Sequence, residues 1–323
     1  MGGFSNNGEA QLSNSTTERW QNSNILTYDN NFGGRHRLTA TAVLEQIYDT
    51  WHGTNTEARD FIVDQLGYNN IAGAQFLTKS SYAGDRSLLS YMGRVFYGYD
   101  ERYLATFTYR ADGSSVFGDD NKWGYFPSGS VAWRISEEAF LEGSSTITEL
   151  KLRASYGQTG NQGISPYQTL ARLFSAPGDY GTNYPYNGVQ PTNTGFAVGG
   201  LANPNLKWET TTQTDIGIDL SLFSGRLTST IDVYKKVTDD LLMPRELPGY
   251  VGVNSILDNV GSIENKGVEI LIGGDPIVGK FHWNTSVNLT ANRNKVLDLG
   301  PDERLSFSAS FGGYSMGEFM ILE

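Results

Sequence analysis

From Thr210 to Lys236 the chain reads TTTQTDIGIDLSLFSGRLTSTIDVYKK. Apolar residues recur at every second position, Ile216, Ile218, Leu220 and Leu222. The alternation resumes after FSGR at Leu227, Ser229, Ile231 and Val233. The other face is read as Thr214, Gly217, Asp219 and Ser221, then Thr228, Thr230, Asp232 and Tyr234. A period of two belongs to a strand, so the stretch predicts a long β-hairpin with one oily and one polar face. The segment FHWNTSVNLT repeats the pattern, with Phe281, Trp283, Thr285, Val287 and Leu289 on one side. His282, Asn284, Ser286, Asn288 and Thr290 take the other, and no charge falls among the apolar positions named on either oily face. Two architectures produce such strands. A soluble sandwich turns the oily face inward, whereas an outer-membrane barrel turns it to lipid and lines its lumen with the polar face.

The same reading predicts strands over 20–29, 37–48, 87–99, 102–110, 126–135, 147–158, 209–223, 226–238, 255–272 and 281–292. Several reach the ~9–11 residues that a tilted strand needs to cross a bilayer. The links between them alternate in length. Those at 29–34, 99–102, 223–226 and 273–280 are short, those at 49–86, 111–125, 159–208 and 239–254 are longer, and that at 136–146 is intermediate. An up-and-down barrel puts all its short turns at one end and its long loops at the other. A Greek-key sandwich gives no reason for that order. Aromatic residues gather at the short turns, with Tyr99 and Tyr103 beside one, Phe223 before another, and Phe281 and Trp283 after a third. In a barrel these would form an interfacial girdle. A lipid-facing oily side would predict that Ile218→Arg impairs membrane assembly far more than Asp219→Arg.

Composition narrows the remaining classes. The 323-residue chain is 38% hydrophobic and has no apolar run approaching the ~18–20 residues of a spanning helix. A barrel needs none. The net charge of −11, without a basic block, argues against a nucleic-acid partner. There is no cysteine, hence neither a disulfide framework nor a thiolate site. The N-terminus shows no charged region followed by an apolar one, so no signal peptide is read there.

Catalytic signals are weak. Three histidines, His36, His52 and His282, fall in no zinc-ligand spacing. YGQTGNQG lacks the Lys-Ser/Thr of a phosphate loop, and no Gly-x-Ser-x-Gly elbow occurs. Asp119 and Asp120 read as a solvated turn in preference to a calcium loop. No enzyme activity, cofactor or metal is expected. Tyr180, Tyr184, Tyr186 and Phe196, set among Gly, Asn and Pro in the longest link, are candidates to stack on sugar rings, or else to fold that link upon itself.

Several long blocks then carry a resemblance. YLATFTYRADGSSVFGDDNKWGYFPSGSVAWRISEEAFL at 103–141 and ITELKLRASYGQTGNQGISPYQT at 147–169 resemble the barrel core of the SusC/RagA family of TonB-linked outer-membrane proteins. So do LANPNLKWETTTQTDIGIDLSLFSGRLTSTIDVYKKVTDDLL at 201–242 and NVGSIENKGVEILI at 259–272. The resemblance is close over 88–299, and residues 1–86 fit in general style.

The resemblance implies an all-β, antiparallel transmembrane barrel, of which residues 1–323 would be an open, partial portion of 22 strands. The plug and the last strands would lie outside it. It implies residence in a Gram-negative outer membrane and TonB-dependent import of oligosaccharides or peptides. A SusD-like surface lipoprotein would be a partner, and TonB–ExbB–ExbD would act through the N-terminal region. Ile216, Ile218, Leu220, Leu222, Leu227, Ile231, Val233, Val287 and Leu289 would then face lipid, and Asp219, Asp232 and Tyr234 the lumen. The alternative is a soluble β-sandwich that binds glycans.

Overall fold

The computed structural model describes residues 8–62, 64–174 and 196–300. They form fourteen strands. In chain order these are β1 (Glu9–Phe32), β2 (His36–Phe61), β3 (Ala74–Tyr99), β4 (Tyr103–Ser114), β5 (Trp123–Arg134), β6 (Ile147–Asn161) and β7 (Arg172–Phe174). There follow β8 (Ala197–Gly200), β9 (Glu209–Leu222), β10 (Leu227–Asp239), β11 (Leu242–Glu246), β12 (Ser255–Asn259), β13 (Ser262–Ile277) and β14 (Trp283–Asp298). Ten of them make one sheet in the order β1-β2-β3-β4-β5-β6-β9-β10-β13-β14. Strands adjacent in that sheet follow one another in sequence, as in an up-and-down meander. β1 and β14 are its edges, so the sheet is open. The pairs β7-β8 and β11-β12 form separate two-stranded ribbons in the long links.

The tight turns follow from local chemistry. Asp100 and Glu101 between β3 and β4 both take positive φ, 54° and 55°. That is the backbone of a two-residue turn whose twist matches the strands it joins. Beside this turn Tyr99 stacks on Tyr103 at 6.4 Å, and Tyr103 on Trp133 at 6.3 Å.

Three expectations are corrected. The link over 49–86 is mostly strand, because β2 runs to Phe61 and β3 starts at Ala74. The stretch 255–272 is two strands in two sheets. The break falls at Gly261, whose φ of +83° ends the extended run, and β12 turns to pair with β11. Thr214 lies on the oily face, since it is opposite Tyr156 and Lys235 in the column that continues from Ile216.

Contacts divide the chain into two units, Met1–Ser23 with Glu45–Leu89 and Asn24–Leu44 with Ser90–Glu323. The first is organised around Asp49. Arg19 reaches its two oxygens at 2.6 and 2.9 Å, and Arg86 Nε adds a contact at 2.9 Å. Asp49 lies further along β2 from its turn than the ~9–11 residues of a bilayer crossing. Hydrogen bonding from Arg19, joined by Arg86 and opposed by burial, holds its pKa down at about 2. A carboxylate whose pKa is lowered by folding contributes stability above its unfolded value near 3.8, and loses that contribution as pH falls toward 2. Pepsin cleavage within 45–89 is therefore expected to rise as pH falls from 4 to 2. An Asp49→Asn variant should be cleaved readily at pH 4 already.

The second unit has a small aromatic core at the long-link end of β5. Val116, Phe117, Phe126, Leu206 and Trp208 are buried there. The Trp208 ring lies 5.2 Å from Phe117 and meets Phe126 edge-on at 5.5 Å. Its Nε1 donates to the Lys122 carbonyl at 2.9 Å. Phe126 in turn packs against Gly124 and Gly160, where a Cβ would come within 2.4 and 2.0 Å of the ring. One indole thus ties the link after β4 to the segment before β9. Trp208→Ala is expected to lose ~3–5 kcal/mol locally. It should expose Lys122 and Lys207 to trypsin while leaving the remaining sheet resistant.

Candidate functional site

The site is the polar face of β6, β9, β10, β13 and β14. Residues on these strands that alternate with the oily columns converge on one guanidinium. Arg153 on β6 places Nε 2.8 Å and Nη2 3.1 Å from the two oxygens of Asp219. The same Nη2 lies 2.9 Å from Asp232 on β10. Lys151 Nζ approaches Asp219 at 3.4 Å. The planar fork of arginine lets one side chain serve two carboxylates on different strands. The strand between them makes room. A Cβ at Gly217, which pairs with both Arg153 and Asp232, would fall 2.2 Å from Asp232 and 2.7 Å from the guanidinium.

Beside this network lies a concave polar pocket of about 700 Å³. Asp215, Asp232 and Glu269 supply its carboxylates, and Arg153 and Lys236 its cations. Tyr234, Gln213, Asn265 and Asn292 add neutral donors and acceptors. Tyr234 lies across Gly267, where a Cβ would sit 2.8 Å from the phenol oxygen. Carboxylates, amides and a tyrosine at this spacing can hydrogen-bond sugar hydroxyls or peptide amides. Among the described residues no cluster of His, Cys, Asp or Glu could hold a metal ion.

The opposite face is apolar, and registry fixes its rows. Leu152, Ile218, Ile231, Ile270 and Leu289 lie side by side across five strands. Ala154, Ile216, Val233, Val268 and Ala291 form the next row. On the other side run Leu150, Leu220, Ser229, Ile272 and Val287, and beyond them Leu222 faces Leu227. All nine apolar residues singled out from the sequence share this face. Ile216 is 59% and Leu289 58% exposed, so these columns do not form the interior of a sandwich. Leu271 departs from the pattern, lying on the polar side.

Of the other residues singled out, Asp219 and Asp232 are brought together by Arg153, and Tyr234 lines the pocket next to them. Phe196 is exposed at the start of the segment leading into β8. Tyr180, Tyr184 and Tyr186 lie outside the described residues. His282 sits at the turn into β14 with Nε2 3.0 Å from Asp275. Asp119 pairs with Lys122, as a solvated turn would. Sequence reasoning missed Arg153 and Lys151. The signal was present in KLRASYG, where Lys151, Arg153 and Ser155 occupy one parity of β6 and Leu152, Ala154 and Tyr156 the other.

Comparison with known proteins gives a consistent answer. The family described as TonB dependent receptor-like, β-barrel, matches residues 2–317. TonB-dependent receptor P3 of Formosa agariphila is 40% identical over 317 residues, which is 98% of this chain and 31% of that protein. TonB-dependent receptor SusC of Bacteroides thetaiotaomicron is 40% identical over 230 residues, covering 70% of this chain and 22% of SusC. Among solved structures, the RagAB peptide transporter superposes with a TM-score of 0.80 at 26% identity, over 90% of this chain and 31% of the transporter chain. The chain thus spans about a third or less of the length of the proteins it matches.

Proposed function

Since this chain belongs to the TonB-dependent receptor-like β-barrel family of outer-membrane proteins, we propose that it forms part of the wall of a TonB-energised importer of the SusC/RagA type. Its ten-stranded sheet supplies about ten staves of a larger barrel, and a plug and further strands complete it. The observation that carries this reading is the two-faced registry. Exposed aliphatic rows cover one side of the sheet, and a charged, hydrogen-bonding pocket lies on the other. The first face contacts lipid, and the second lines the path of a polar solute. The Arg153 network is the fixed part of that lining. Asp215, Glu269 and Tyr234 are the groups that meet the passing solute.

The solute is an oligosaccharide or a short peptide. The RagAB peptide transporter supports the second half of that statement, and the resemblance to the SusC/RagA family implies the first. The neutral Asn, Gln and Tyr content of the pocket favours a polyhydroxylated solute, with the carboxylates accepting hydroxyl hydrogen bonds. Tyr180, Tyr184, Tyr186 and Phe196 are the aromatic residues that take it up, together with a SusD-like surface lipoprotein. TonB–ExbB–ExbD acts through the N-terminal part of the whole receptor.

Growth of cells carrying the full receptor on a panel of single oligosaccharides and peptides tests the assignment. One class of solute should require both the receptor and TonB. Uptake that persists unchanged without TonB would refute the mechanism, and growth on peptides alone would refute the preference for sugars. Replacing Asp215 and Glu269 together by Ala is expected to reduce uptake at least severalfold. The amount of receptor in the outer membrane should not change, since neither carboxylate is held in the Arg153 network.

A further inference from the structure

We propose that a cluster of cations on the oily side of β10, β13 and β14 holds the phosphate of an outer-leaflet lipid headgroup. This rests on the reading that the aliphatic rows face lipid. The row next to Ala154, Ile216, Val233, Val268 and Ala291 consists of Tyr156, Thr214, Lys235, Lys266 and Arg293. Apolar side chains thus give way, within one step along five neighbouring strands, to a tyrosine, a threonine and three cations. The following row adds Lys295 opposite Glu264. Lys266, Arg293 and Lys295 are exposed, and Tyr156 is half exposed.

Position and chemistry agree. From Leu222 to Thr214 is one crossing length of strand for a bilayer, ~9–11 residues. The cations therefore stand where hydrocarbon ends and headgroups begin. Tyrosine in the same row is the usual occupant of that level. The end of β10 in question leads to the long link at 239–254, and long links of such barrels lie outside the cell. The leaflet concerned is the outer one.

Glu264 makes the patch a built one. It is 8% exposed and pairs with Lys235 at 2.9 Å and Lys266 at 3.4 Å. One carboxylate fixes two ammonium groups without neutralising the cluster, since Arg293 and Lys295 remain beside it. The next carboxylate of this face on β10, Asp239, stands two rows beyond Lys235. Neighbouring strands are ~4.8 Å apart, so Lys266 and Arg293 can reach different oxygens of one phosphate.

The test uses the full receptor purified in mild detergent. Phosphorylated lipid A, the same lipid without its phosphates, and inorganic phosphate are the probes, and retained lipid is counted by native mass spectrometry. The wild type should retain the phosphorylated form about tenfold better than the dephosphorylated one. Lys266→Gln/Arg293→Gln/Lys295→Gln should bring the two forms close to equality. Lys280→Gln, at the opposite end of the strands, should keep the preference. Receptor assembly, read from heat-dependent mobility in SDS, separates the two ideas. A triple variant that assembles and still prefers the phosphorylated form overturns the proposal but not the lipid facing. Displacement of the lipid by millimolar inorganic phosphate overturns it as well, because it would mark a simple anion site.

Discussion

Ile218→Arg is expected to abolish stable insertion of the receptor in the outer membrane, whereas Thr230→Arg should assemble close to normally. Ile218 lies in the middle of the aliphatic rows, flanked by Leu152 and Ile231 in registry. With the aliphatic rows toward lipid, as proposed, an arginine there would enter the hydrocarbon near its midplane, at a cost of about 2–4 kcal/mol. Snorkelling gives little relief, because rows of aliphatic residues extend in both directions along the strand. Thr230 lies on the neighbouring strand but on the other face, with its hydroxyl 3.4 Å from Asp219. A guanidinium there would find a carboxylate and water. Asp219→Arg, the comparison suggested by sequence alone, is a poor control. It would remove the carboxylate that Arg153 and Lys151 share and put a third cation in its place. Heat-dependent mobility in SDS and the yield in outer-membrane fractions report the difference. Equal assembly of the Ile218 and Thr230 variants would show that the faces were assigned the wrong way round.

That comparison also shows what the sequence could and could not reveal. Parity along β9 and β10 was legible because a strand fixes the face of every residue once one is known. Ile216 through Leu222 and Asp219 through Tyr234 therefore fell on the expected sides. Thr214 did not, because a polar side chain gives no sign of sitting on the oily side. It stands there at the level where the aliphatic rows end. Loop structure was less legible. Gly261 breaks the run from Ser255 to Ile272, yet a glycine within an alternating pattern also fits a continuing strand. The partners of Arg153 were hidden for a different reason. They lie 66 and 79 residues away, on strands whose adjacency depends on β7 and β8 being set aside in a separate ribbon. Likewise Trp208 and Phe126 gave no local hint of a shared core, since the contact joins β5 to the segment before β9, far apart in sequence.

The second large effect is expected at Arg153. In Arg153→Met, Asp219 keeps only the 3.4 Å contacts with Lys151 and the Thr230 hydroxyl, and Asp232 loses its ion-pair partner among the described residues while lying opposite Glu269. Both aspartates are about three-quarters shielded from water, with 26% and 24% of their side chains exposed. A partly buried carboxylate left without its donor costs ~1–3 kcal/mol, and here two are affected by one change. Arg153→Lys should be intermediate, since an ammonium cannot present the planar fork that spans Asp219 and Asp232 together. The decisive comparison is the double variant Arg153→Met/Asp232→Asn. If Arg153 acts by neutralising Asp232, removing that charge should restore part of the loss, a coupling of ~0.5–3 kcal/mol. Denaturant unfolding of the assembled receptor measures it. Simple additivity of the two changes would mean that Arg153 supports the wall through packing alone. A solute lining that depends on its charge would then have to be sought elsewhere on the polar face, around Asp215 and Glu269.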